Sequence, residues 1–345
     1  MKSVVLIASY LEPELVEQIR RVDDRLEVLY EPELLWPPEY PADHRGRSFT
    51  RTPAQEEQWQ SLLARADILF DFDPSHPDDL SALAPNVRWI QATSSGIGEL
   101  VRKRGYARSM PQTVFTTASG VHAQPLAEFC IMVMLAFHKK LLQSLADQRR
   151  KRWQRFAATD LNGQTLVIVG VGRIGTEVAR MAKTFGMRVV GVKRSPSGVS
   201  PADLHLDALY GPSDLPRALA EAQNLVIVAP HTSETERMIG ATELAMLPDG
   251  AVFINIGRGA LVDEPALVEA LRAGRLLGAG LDVFQKEPLP SDSPLWELEN
   301  VIVVPHSAST SDRENGRITD LFCENLRLFL EGRPLRNQLN TTLGF

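Results

Sequence analysis

Two cysteines, Cys130 and Cys323, are too few for a disulfide framework and fit a reducing cytoplasm. No apolar run approaches the ~20 residues that cross a bilayer. The opening Met1–Ala8 could pass for a short leader. However, polar Ser9, Tyr10, Glu12 and Glu14 follow without a small-residue cleavage pattern, so it reads as a first strand. An excess of positive charge is also lacking: the net charge of −6 argues against general nucleic-acid affinity. The densest basic run, Arg149–Arg152 with Arg155, reads as a solvated helix face. The histidines at 44, 76, 122, 138, 205 and 231 have no metal-ligand spacing, so no metal site is expected. Repeats and low-complexity tracts are lacking too.

What the chain does have is apolar substance, 44% of 345 residues, which is enough for two domains with sizeable cores. Strand-like runs alternate with helical patterns in two α/β units. The first unit opens with Val4–Ala8, a helix from about Glu14 to Arg20, and a strand Leu26–Tyr30; Ile68–Phe72 and Val87–Ala92 come later. Between them lies a Pro-rich loop, 34–53, with Trp36-Pro-Pro38, His44, Arg47 and Arg51. It either closes over a substrate or is a surface excursion. The second unit carries strands Thr165–Val169, Arg188–Val192, Leu225–Ala229, Val252–Ile256, Gly278–Leu281 and Val301–Val304, a pattern for a doubly wound parallel sheet. One long helix is expected over 121–156. Its stripe of Met132, Met134, Leu135, Leu141, Leu142 and Leu145 needs cover from the other domain or a second subunit. A last helix, about Asp312 to Leu330, stops at Gly332 and Pro334.

Two features carry chemistry. The first is Gly170-Val-Gly172-Arg173-Ile174-Gly175, between a strand and the helical pattern Thr176–Phe185. One glycine permits the tight turn, one lets backbone approach a pyrophosphate, and one lets helix pack on strand; the helix amino end then offers free N–H groups. The next strand ends at Lys193-Arg194-Ser195, where NAD-binding versions of this fold carry an acid. Two cations and a hydroxyl there suit a 2′-phosphate, so NADP(H) is favoured and NAD(H) is the alternative. The second feature is a set of three side chains that each follow a strand: Arg258, Glu287 and His306. An arginine holds a carboxylate with two hydrogen bonds, a histidine exchanges a proton near neutrality, and a glutamate orients it and favours its charged form. These are the parts needed to reduce a 2-keto acid.

The motifs Gly170–Gly175, Asn255-Ile-Gly-Arg258-Gly-Ala-Leu-Val-Asp263-Glu264, Leu281-Asp-Val-Phe-Gln-Lys-Glu287-Pro-Leu-Pro290 and Pro305-His306-Ser-Ala together resemble the D-isomer-specific 2-hydroxyacid dehydrogenases, which include glyoxylate/hydroxypyruvate reductases. The resemblance runs from about Trp89 to Asn337. It implies two Rossmann-like doubly wound domains, with a cofactor domain (104–307) inserted into a split, flavodoxin-like substrate domain (1–103 and 308–345). It implies that Arg258 holds the substrate carboxylate and keto oxygen, that His306 protonates that oxygen, and that Glu287 pairs with His306. Backbone N–H groups near Ser95, Gly96 and Ile97 would receive the carboxylate's other side. Asp282 would lie near the nicotinamide carboxamide, while Pro230, Thr235 and Ile256 would line the cofactor crevice. Family members are commonly homodimers, which would cover the 121–156 stripe. Two other functions compete: a formate dehydrogenase, which would pair the histidine with glutamine rather than Glu287, and a non-catalytic nicotinamide-sensing scaffold of the corepressor type. The resemblance leaves open which keto acid is used.

Overall fold

The computed structural model describes residues 2–342, so Met1 and the last three residues of the expected 308–345 segment lie outside it. The chain divides into two compact units, 1–121 with 310–345, and 122–309.

In the first unit β1 (Ser3–Ile7), β2 (Leu26–Leu29), β3 (Ile68–Phe70), β4 (Trp89–Gln91) and β5 (Val114–Thr116) form one sheet of order β2-β1-β3-β4-β5. Every pairing is parallel, and the order is the flavodoxin-like one. Alternation along β1 explains the layers: Leu6 and Ala8 enter one core, and Val5 and Ile7 the other. The helix Glu314–Leu330 belongs here because Phe322 packs edge-on to Phe70 at 5.1 Å and stacks on Trp89 at 5.0 Å. The expected change of unit at 103/104 leaves out β5, a three-residue strand too short to register as a period. The expected 34–53 loop is pinned along its length. Asp43 accepts the N–H groups of Glu39, Arg45 and Gly46, and buried Arg51 donates to the Leu34 carbonyl and lies over the Trp59 ring.

In the second unit β6 (Thr165–Val169), β7 (Arg188–Val192), β8 (Ala208–Tyr210), β9 (Asn224–Ile227), β10 (Ala251–Asn255), β11 (Leu276–Leu281) and β12 (Val301–Val303) are ordered β12-β11-β10-β9-β6-β7-β8. All pairings are again parallel. The order reverses at β6/β9, and at such a point the carboxyl ends of the strands open a crevice. Leu166 and Ile168 pack into one face with the helix Ala123–His138, while Val167 and Val169 pack into the other with the helix Glu264–Arg272. The doubly wound expectation is met in both units.

The single helix expected over 121–156 is a correction. It is two helices, Ala123–His138 and Leu141–Arg149, bent by 60°. Lys140 takes a left-handed conformation (φ 54°) between them, and 152–160 is irregular. The apolar period runs on through the break, so the pattern alone could not reveal it. Among the described residues, no single helix is long and apolar enough to cross a membrane.

The first helix ends on a buried polar cluster. His138 Nε2 donates to Asn224 Oδ1 (2.8 Å), Asn224 Nδ2 donates to Gln164 Oε1 (2.8 Å), and Gln164 donates to the Asp160 carbonyl (2.7 Å) and lies 3.4 Å from His138 Nδ1. Burial lowers the His138 pKa; the Asn224 hydrogen bond opposes this, and nearby Lys139 adds to it. The unfolded chain therefore binds the proton more readily than the folded one. This stability is present above the unfolded pKa of about 6.5 and is lost as pH falls through the lower folded one. Thermal unfolding between pH 7.5 and 5 should show a fall in midpoint that is shallower in His138→Gln. Parallel slopes would remove His138 from that balance.

Candidate active site

The glycine loop follows β6 and gives each glycine a distinct task. Gly170 has φ 104°, and a Cβ there would stand 2.5 Å from the Ala229 nitrogen, against the end of β9. Gly175 would meet the Gly170 carbonyl oxygen at 2.5 Å, so only glycine lets the helix Arg173–Thr184 sit this close. Gly172 is exposed, and a Cβ there would meet nothing within 4 Å. The open ground is thus at the N-cap of a twelve-residue helix, where N–H groups and the helix dipole favour phosphate. These residues fit a dinucleotide. Arg173 is exposed beside the loop and Ile174 packs under it.

At the end of β7 the Lys193 ammonium donates to the Val171 carbonyl at 2.8 Å, which brings a cation onto the glycine loop itself. Arg194 and Ser195 follow, both exposed. After β9, the Thr235 hydroxyl donates to the Pro230 carbonyl (2.8 Å) and accepts from the Thr232 N–H (2.8 Å), so it closes the turn over 230–235. Ile256 is buried, and its N–H bonds the Ile227 carbonyl.

Arg258 leaves β10 through a turn built by Asn255, whose Oδ1 accepts the Gly257 N–H (3.1 Å) and whose Nδ2 donates to the Arg258 carbonyl (3.0 Å). One Nη1 bond to the Gly257 carbonyl (2.7 Å) fixes the half-buried guanidinium. Its Nε and Nη2 have no protein partner among the described residues, which leaves much of the fork for an anion. The next residue ties this loop to the one bearing Glu287: a Cβ on Gly259 would overlap the Phe284 carbonyl, 1.9 Å from its carbon. Gln285 completes the seam, donating to Glu264 Oε2 and to the Val262 carbonyl.

Glu287 uses both oxygens. Oε1 accepts the Phe284 N–H (3.0 Å), and Oε2 meets His306 Nδ1 at 2.7 Å. Opposite a carboxylate, Nδ1 carries the hydrogen, so Nε2 is the exchanging atom. No described residue bonds it. Glu287 and His306 remain partly exposed, with side-chain accessibilities of 36% and 46%. Asp282, at the end of β11, is 2% exposed; its Oδ1 accepts the N–H groups of Ser307 (2.8 Å) and Ala308 (2.9 Å). Burial raises its pKa, countered by those hydrogen bonds and the nearby His306.

The structure thus brings Glu287, His306 and Asp282 together, with Arg258 at the neighbouring strand end. Ser95, Gly96 and Ile97 lie in the first unit, between β4 and the helix Gly98–Arg104, and the Gly96 N–H bonds Ser94 Oγ (3.2 Å). Sequence reasoning gave no role to Asn255. The signal was an asparagine two residues before a glycine at a strand end, which can bond backbone ahead of it.

Residues 131–308 match the family model for the D-isomer specific 2-hydroxyacid dehydrogenase NAD binding domain. A glyoxylate reductase of Korarchaeum cryptofilum is 34% identical over 266 residues, 74% of this chain and 77% of that protein. A glyoxylate/hydroxypyruvate reductase B of Yersinia pestis is 33% identical over 299 residues, covering 84% and 88%. Among solved structures, a D-isomer specific 2-hydroxyacid dehydrogenase from Xanthobacter autotrophicus, in complex with NADPH and MES, aligns with a TM-score of 0.78 at 26% identity, covering 100% of this chain and 99% of that one. With its glycine loop and its paired histidine and glutamate, this chain belongs to the D-isomer-specific 2-hydroxyacid dehydrogenases, which are NAD(P)-dependent enzymes.

Proposed function

We propose that this enzyme reduces a small 2-keto acid of the glyoxylate or hydroxypyruvate type to the D-2-hydroxy acid and prefers NADPH. The observation that carries this reading is the 2.7 Å pair of His306 Nδ1 and Glu287 Oε2, which leaves Nε2 to hold and deliver a proton. Arg258 binds the substrate carboxylate through its unused N–H groups. Bound NADPH supplies the hydride for the 2-carbon. His306 Nε2 gives its proton to the keto oxygen as that oxygen gains charge, and Glu287 stabilises the ring while it is positive. Asp282, Pro230, Thr235 and Ile256 belong to the cofactor side of the site. The relatives named for glyoxylate and hydroxypyruvate support the substrate class.

The NADPH preference rests on Lys193, Arg194 and Ser195 following β7 without an acid, and the relative solved with NADPH agrees with it. Lys193→Asp with Arg194→Ala should invert the preference, changing the ratio of kcat/KM values by about 10²-fold, since hydrogen bonds to charged groups are worth about 1.5–3 kcal/mol each. An unchanged ratio would discard the assignment. We further propose a homodimer in a reducing compartment. Met132, Leu141 and Leu145 are 47%, 48% and 40% exposed along the broken helix, and both cysteines are unpaired.

Loss of reduced-nicotinamide absorbance with glyoxylate and hydroxypyruvate tests the whole reading. Turnover faster with NADPH is expected. Turnover with NADH alone would keep the enzyme and remove the preference. Tight cofactor binding without turnover would overturn the substrate class.

A further inference from the structure

We propose that Glu264 and Gln285 are positioning residues for the proton donor, holding the turn that bears Glu287 against the loop that bears Arg258; this rests on the reading of His306 as that donor. Two hydrogen bonds make the seam, and both run through Gln285. Its N–H donates to Glu264 Oε2 at 3.0 Å, and its Nε2 donates to the Val262 carbonyl at 2.8 Å. One residue earlier, the Phe284 carbonyl lies so close to Gly259 that a Cβ there would overlap it, and the Phe284 N–H holds Glu287 Oε1 at 3.0 Å. Glu287 is thus carried by a turn whose base is the seam, and its Oε2 meets the His306 ring.

The two sides of the seam are not equally fixed. The Arg258 side is held without it: Asn255 bonds the Gly257 N–H and the Arg258 carbonyl, and the Asp263 N–H bonds the Ile239 carbonyl at 2.9 Å. Asp263 also caps the helix Glu264–Arg272, so Glu264 projects from a settled helix start. On the other side Phe284 is buried, but Gln285, Lys286 and Glu287 are all exposed. With little packing to hold it, such a turn keeps its place through its hydrogen bonds. Losing the seam would therefore shift Glu287 and leave Arg258 where it is.

The seam needs an acceptor oxygen at residue 264 and not a charge. An amide oxygen in the same place accepts the Gln285 N–H, so Glu264→Gln should keep the geometry. In Glu264→Ala water can take that N–H, but water does not fix the turn against the neighbouring loop. The His306 ring would then lose the steady carboxylate that keeps its hydrogen at Nδ1.

The experiment compares Glu264→Gln, the combined variant Glu264→Ala with Gln285→Ala, and His306→Ala. Steady-state kinetics gives kcat and KM, while nitrogen NMR of isotope-labelled histidine reads which His306 nitrogen holds the hydrogen when the ring is neutral. The signal absent from His306→Ala is the one assigned to that ring. In the combined variant kcat for the keto acid should fall about 10²-fold, the scale of a small misplacement of a reacting group. Its KM for the keto acid and for NADPH should stay within about threefold, because the lost contacts serve the proton and not ground-state binding. Glu264→Gln should keep the rate. The hydrogen should sit at Nδ1 in the unaltered enzyme and in Glu264→Gln, and be divided between the two nitrogens in the combined variant. Undiminished kcat in the combined variant, Glu264→Gln as slow as it, a loss confined to KM, or an Nδ1 hydrogen unchanged by the combined variant would each overturn the proposal. Where the combined variant does not fold, amide exchange at Gln285 in the unaltered enzyme decides: protection supports the seam and rapid exchange overturns it. Normal turnover in His306→Ala would instead remove His306 as the donor, and is read separately from the seam variants.

Discussion

Replacing His306 with alanine should lower kcat for keto-acid reduction by about 10²–10⁴-fold, the usual contribution of a positioned general acid. The reduced 2-carbon carries a developing alkoxide, and without His306 its proton must come from water. The loss should fall on kcat more than on KM, because a proton delivered during the reaction contributes little to ground-state binding. Cofactor affinity should be unchanged, since the glycine loop follows β6 and His306 follows β12. Stability should change little: the ring is partly exposed and, among the described residues, bonds Glu287 alone, and alanine would sit in the same left-handed turn. Stopped-flow single turnovers with saturating NADPH separate the chemical step from release. A hydride-transfer rate near that of the unaltered enzyme would reject His306 as the donor.

Arg258→Ala should cost about 10³-fold in kcat/KM for the keto acid, equivalent to about 4 kcal/mol at 1.36 kcal/mol per tenfold. A charge-assisted pair of hydrogen bonds to a carboxylate reaches that size. Arg258→Lys should recover only part, because an ammonium keeps the charge but cannot reproduce the fork. Among the described residues the guanidinium makes one bond, to the Gly257 carbonyl, so its removal should leave the Asn255 turn standing. The KM for NADPH should therefore be unmoved in both variants. Equal losses in keto-acid and NADPH kinetics would mean that the loop had collapsed. Full activity in Arg258→Ala would place the carboxylate elsewhere.

Much of this was legible in the sequence because its signals are local. Thr165–Val169 and Arg188–Val192 were expected with the bounds the structure gives, since apolar β-branched runs end at glycines or charges. The Gly170–Gly175 spacing likewise meets the close approaches that only glycine allows. Other features left no local mark. Val114–Thr116 and Ala208–Tyr210 are strands of three residues, below any readable period. The break at Lys140 interrupts an apolar stripe that continues in register on both sides. Asp282 joins backbone groups 25 and 26 residues further along the chain, a relation that only folding creates. The Pro-rich composition of 34–53 suggested a loop but not the Asp43 and Arg51 bonds that fix it.

The most direct test is the rate of hydride transfer in single turnovers with saturating NADPH, in the unaltered enzyme and in Glu287→Ala. The Glu287 carboxylate fixes the His306 ring through Nδ1 and leaves Nε2 to give its proton. Without that partner the ring loses its orientation, so the rate should fall about 10²-fold while the KM for NADPH stays unmoved. A rate for Glu287→Ala equal to that of the unaltered enzyme would contradict the His306–Glu287 pair as the source of the proton.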